Sequence, residues 1–206
     1  MTITDSKFIK NSAQYGGAVR LFIRTKSTVT VTASEFMDNS AQGNGGGLYL
    51  EATNSTITVK DNEFIDNSAQ YDGGAVYLEV TNSTTTITDS EFMNNSARYY
   101  GAVCLFITTN SAMTTTSEFM DNSAQYDGGA VHLDATNSTT TITASKFRDN
   151  STQGNGGAVH LDRINSTITI TISEFMDNSA QGDGGAVYLD ATNVLNSELN
   201  LDYHRQ

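Results

Sequence analysis

The chain has 206 residues, a formal net charge of −12, no proline, no tryptophan and one cysteine. That acidic balance disfavours the phosphate backbone of a nucleic acid and anionic membrane surfaces alike, and no apolar run reaches the roughly 18 residues of a spanning helix. The lone Cys104 cannot close an internal disulfide, so it leaves the redox compartment open.

Charged residues make up 17% of the chain, below the usual level of about 25%. Thr, Ser, Asn and Gly fill the gap, and these are residues of strands and turns. Met1-Thr2-Ile3-Thr4 opens directly in repeat text, with no basic-then-apolar leader. The expectation is a piece of a longer chain, entered partway through a coil.

Phe recurs at 8, 36, 64, 92, 119, 147 and 175, at intervals of 28, 28, 28, 27, 28 and 28. Asn follows three residues later each time, at 11, 39, 67, 95, 122, 150 and 178. A fixed period of this size means a repeat architecture.

Each repeat carries three segments, and all three alternate with the period of a strand. The first holds the Phe and the Asn. The second is Gly-Gly-Ala-Val-Tyr-Leu or a variant, beginning at Gly16, Gly45, Gly73, Tyr100, Gly128, Gly156 and Gly184. Its Val and Leu slots (Val76 and Leu78, for instance) are apolar throughout and point inward. The slot between them reads Arg20, Tyr49, Tyr77, Cys104, His132, His160, Tyr188, a mixture expected to face solvent. The slot after the Leu reads Phe22, Glu51, Glu79, Phe106, Asp134, Asp162, Asp190, and should also face out.

The third segment is rich in Thr. The slot five before Phe reads Ile3, Val31, Val59, Ile87, Thr114, Ile142, Ile170, an inward column with one polar lapse. The fourth repeat is irregular: Tyr100 replaces a Gly, the interval is 27, and Met113 interrupts the Thr run. A local bulge is expected there.

These rules predict an all-β, right-handed parallel β-helix of about seven coils of 28 residues, three strands per coil. It occupies 1–193, and 194–206 is a cap or a degenerate further coil. Phe should stack on Phe along the axis, and the Asn amides should bond from coil to coil. A bare first coil would leave edge groups open to end-to-end self-association.

Phe-x-x-Asn alternating with Gly-Gly-Ala-Val resembles the repeats of the chlamydial polymorphic outer membrane proteins. The first motif is met in all seven repeats, from Phe8/Asn11 to Phe175/Asn178. The second is altered at Gly45-Gly46-Gly47-Leu48 and Tyr100-Gly101-Ala102-Val103. The resemblance implies an extracellular or cell-surface module used for adhesion, with a glycan or a protein surface as partner. It implies no catalytic residue, metal or cofactor.

Among candidate sites, Thr28, Thr30, Thr32, Thr56, Thr58, Thr84, Thr86, Thr88, Thr139, Thr141, Thr143, Thr167, Thr169 and Thr171 should share one outward face. Their spacing resembles the Thr-x-Thr rows of insect antifreeze proteins, which makes ice the alternative partner. The plainer account is that Thr is a good exposed strand residue. Tyr49, Tyr77, His132, His160 and Tyr188 form a second candidate binding face. His132 and His160 sit beside Asp134 and Asp162, but nothing else converges there, and a polysaccharide-cleaving enzyme is the least favoured reading. Tyr71, Tyr99, Tyr100 and Tyr126 precede the Gly pair and suit a sugar or a protein, or shield the turn. Asp38, Asp66, Asp121, Asp149 and Asp177 read as a solvated acidic column rather than a Ca²⁺ site.

Overall fold

The computed structural model describes residues 1–192, so the expected cap or degenerate coil at 194–206 lies outside them. All named elements among the described residues are strands, and every pairing between them is parallel, with partners 27 to 29 residues apart. The chain winds as a right-handed solenoid whose coils stack into three sheets.

The threonine sheet holds strands such as Thr28–Thr32, Thr56–Lys60 and Thr139–Thr143. The Phe word continues it around a bend, in strands such as Glu35–Met37 and Glu63–Ile65. Ser-Ala pairs such as Ser68–Ala69 form a second, short sheet. The third sheet carries the Val-x-Leu strands, such as Leu48–Thr53 and Val76–Thr81. The first segment of each repeat therefore straddles two sheets.

Corner residues make the turns. Asp38, Asp66, Asp121, Asp149 and Asp177 all lie in the left-handed region, with φ between 53° and 55°. A short polar side chain tolerates that geometry best after Gly. The acidic column is exposed, as expected, and its residue type serves the corner. Gly73, at φ 65°, opens the turn into the third sheet. At Gly74 an added Cβ would lie 2.5 Å from the Ser96 carbonyl oxygen of the next coil.

The core follows the expected columns. Neighbouring Phe rings from Phe8 to Phe175 stack with centroids 4.6–5.0 Å apart. The five central rings are almost fully buried, each worth about 1.5–3 kcal/mol on transfer from water. The Asn amides form the expected ladder. Asn39 Nδ2 donates to Asn67 Oδ1 at 2.9 Å and to the Phe8 carbonyl at 2.9 Å. The motif repeats from Asn11 to Asn178. Two further ladders were not foreseen. Backbone N–H groups donate to the side chain one coil on, from Ser34 to Asn62 Oδ1 and from Asn62 to Ser90 Oγ. At another corner Ser55 donates to Ser83 Oγ, and Ser83 to Ser111 Oγ.

The fourth repeat is irregular where the interval shortens, and its register shifts between Thr88 and Glu91. Two corners differ. Thr109 and Asn110 both take positive φ where the preceding coil uses Asn82 alone, and no residue near Ser117 matches the positive φ of Asp89. One residue gained and one lost slide the Thr strand by one place. Thr115, not Thr114, therefore lies in the inward column, paired with Ile87 and Ile142. Met113 also turns inward and is buried, so it does not interrupt the outer Thr face.

Candidate functional site

Three parts of the wall carry the candidate residues. On the threonine sheet, the one-place slide completes an outward column. Thr2, Thr30, Thr58, Thr86, Thr114, Thr141 and Thr169 are direct neighbours from coil to coil. A parallel column beside it reads Thr28, Thr56, Thr84, Ala112, Thr139, Thr167. A third includes Thr32, Lys60 and Thr88, and Thr171 Oγ1 donates to Thr143 Oγ1 at 3.1 Å. The predicted Thr residues thus share one face, broken at Ala112 and Lys60. The Lys60 ammonium lies 3.8 Å from Asp61 and 3.7 Å from Asp89.

The second candidate face is not a face. Tyr49, Tyr77, Cys104, His132 and His160 are all at most 7% exposed. The alternation reads correctly, since these side chains point away from the axis. However, the loop before each Val-x-Leu strand leans over them. Tyr15 meets Tyr49 edge-on at 5.7 Å, and Tyr100 stacks on His132 at 3.9 Å. Alternation reports which side of a strand a residue takes, and says nothing of a loop that covers that side. Tyr188 is half-buried and packs near His160, with centroids 4.9 Å apart.

The chemistry of this covered column follows from burial. Tyr49 and Tyr77 hydrogen-bond Glu51 and Glu79 on their own strands, and burial first, then those carboxylates, push both phenols up. Burial also raises the Cys104 thiol well above its ordinary value, which makes it unreactive. The His pair is more singular. Burial, reinforced by His160, drives His132 down. Burial pulls His160 down too, but the Asp162 hydrogen bond and charge outweigh it and leave His160 raised. That same hydrogen bond lowers Asp162. Arg163, the cation expected nearest, points inward, is 7% exposed, and its Nε and Nη1 have no hydrogen-bond partner among the described residues.

The third part lies along the short sheet. A groove of about 870 Å³ runs across it, floored by Ser and Ala and edged by Gln70, Arg98, Gln125, Gln153 and Gln181. Tyr71, Tyr99 and Tyr126 follow directly on three of those edge residues and stack with centroids 5.6 and 4.9 Å apart. Tyr71 is 50% exposed and Tyr126 51%, and Arg98 lies 5.5 Å from the Tyr99 ring centre. Tyr100 leaves this group for His132. The sequence marked these tyrosines, but the groove went unseen, because the Ser-Ala pairs were not read as a sheet.

A family described as the right-handed β-helix region matches residues 1–119. The chain belongs to the right-handed β-helix family. A second match, to the repeat of the Chlamydia polymorphic membrane protein, covers residues 172–190 of this β-helix. That span holds Phe175, Asn178 and Gly184-Gly185-Ala186-Val187. No curated protein and no solved structure matches the β-helix. The matched residues are those that build the coil, so membership speaks for architecture, and function must be argued from the wall.

Proposed function

We propose that this β-helix is a non-enzymatic binding module of surface or secreted type, serving adhesion or scaffolding through the glutamine-edged groove and the tyrosine stack that follows its edge residues in the chain. The observation behind the reading is the Tyr71–Tyr99–Tyr126 stack, exposed at Tyr71 and Tyr126 and half-buried at Tyr99, whose members directly follow edge residues of a polar groove. Flat aromatic faces next to amide and hydroxyl groups suit the mixed apolar and polar surface of a sugar chain. The likeness to the chlamydial repeat agrees with surface placement. A solenoid also repeats its wall chemistry at a fixed spacing, so an extended ligand meets the same groups on several coils. The test is a glycan array with purified protein, followed by Tyr99→Ala. Binding of an extended glycan, weakened at least tenfold by Tyr99→Ala with melting unchanged, is expected. An array without binding, or unaltered affinity in the variant, would overturn the reading.

One observation favours a second reading, in which the threonine face binds ice. The one-place slide makes the central Thr column continuous through seven coils, with coils spaced about 4.7–4.9 Å apart. On that account the protein produces thermal hysteresis, which Thr141→Tyr removes without unfolding it. No hysteresis at tens of micromolar would dispose of this reading.

A further inference from the structure

His132 and His160 are direct neighbours on adjacent coils, and Asp134 and Asp162 are neighbours two places on. This puts two imidazoles and a carboxylate against one another at the edge of the covered column. His160 Nε2 is 3.3 Å from Asp162 Oδ1, and His132 Nε2 is 4.0 Å from Asp162 Oδ2. One donor atom from each of His132, His160 and Asp162 falls within 4.8 Å of the other two. A tetrahedral ion held at about 2.0–2.2 Å brings such donors to roughly 3.4 Å from one another. The Asp162 side chain is 43% exposed, so its carboxylate has room to turn toward the two ring nitrogens.

We propose that His132, His160 and Asp162 form a site for a divalent first-row metal ion, best matched by Zn²⁺, that clips two successive coils together. Three further observations point the same way. First, the Nδ1 atom of His132 is buried without a hydrogen-bond partner among the described residues. A neutral imidazole carries one N–H and one lone pair. A proton on Nδ1 leaves the Nε2 lone pair facing the Asp162 oxygens, an arrangement that a cation between them makes favourable; without the ion, His160 Nε2 hydrogen-bonds Asp162 instead. Second, the nearest polar atom to His160 Nδ1 in an ion-pair contact is Asp127 Oδ1, at 3.5 Å. An outer carboxylate behind a ligating imidazole fixes its tautomer and raises its basicity. Third, the His132 and His160 side chains are at most 6% exposed while Asp162 reaches solvent. The ion therefore enters from the Asp162 side, where a water takes the fourth position. Two nitrogens and one oxygen suit Zn²⁺, Co²⁺ or Ni²⁺, whereas Ca²⁺ takes oxygen donors in greater number.

The experiment titrates chelator-treated protein with ZnCl₂ by calorimetry and with CoCl₂ by visible spectroscopy, with CaCl₂ as the control. His204 is replaced by Gln in every arm, so that no third imidazole contributes. The expected result is one Zn²⁺ per chain, tetrahedral ligand-field bands with Co²⁺, and a melting temperature raised by Zn²⁺. His132→Tyr, which installs the residue found at the Tyr77 and Tyr188 positions, should abolish the binding. Asp162→Asn, at an exposed position that does not threaten folding, should weaken it at least tenfold. The proposal is overturned if the parent protein takes up no Zn²⁺ at tens of micromolar, or if Asp162→Asn binds it equally well. Equal heats with Ca²⁺ and Zn²⁺ would also overturn it, since they would place the ions on the acidic columns.

Discussion

At the scale of the residue, the informative positions are those where one side chain departs from its column. Asp72 occupies the slot before the turn glycine that Asn44 and Asn155 hold in other coils. Burial pushes its carboxyl from 3.8 up to about 6. The folded form therefore keeps a proton that the unfolded chain releases, so stability falls as pH rises from about 4 to about 6 and stays lower above that. Asp72→Asn removes the charge while keeping the shape. Chemical denaturation should find the variant as stable as the parent at pH 4 and more stable at pH 7.5. A variant less stable at pH 7.5 would mean that the carboxylate has a partner the geometry does not reveal. Residue type alone does not reveal this: Asp and Asn are equally good turn residues, and the cost comes from the burial of the slot. The same holds for His132 and His160. Their spacing was legible as a stacked pair, but their burial was not, because it depends on Tyr100 and Asp127 folding back over them.

At the scale of the element, most of the fold could be read from alternation and period. Phe, Val and Leu columns, the Asn ladder and the irregular fourth repeat all follow from side-chain period and from stacking like on like. Two things did not. The short Ser-Ala sheet has too few residues per strand for any period to be visible, yet it floors the groove edged by Gln70, Arg98, Gln125, Gln153 and Gln181. The slide in the fourth repeat depends on where the chain gains and loses a corner residue, and counting back from Phe119 cannot locate either. A second inward column on the threonine sheet also became visible, running Val29, Ile57, Thr85, Met113, Thr140, Ile168. The Oγ1 atoms of Thr85 and Thr140 are buried in it without a hydrogen-bond partner among the described residues. Thr140→Val keeps the shape and drops the stranded hydroxyl, so it should stabilise by about 1 kcal/mol, or roughly 2–4 °C in melting temperature. A lower melting temperature would show that the hydroxyl is satisfied.

At the scale of the whole molecule, each binding proposal uses the same geometry: a straight wall that repeats its side chains once per coil. The Tyr stack, the Thr columns and the His pair exist only if residues one period apart become neighbours. Spin labels on cysteines at Thr28 and Thr167 test this directly, since both positions are exposed and lie five rungs apart in one column. Cys104, wholly buried with its thiol pushed up by burial, stays unlabelled. Pulsed electron–electron resonance should give a single distance distribution centred near 24 Å, five steps of about 4.8 Å. A distribution centred beyond about 35 Å, or one too broad to have a centre, is incompatible with a single stack of coils at that spacing.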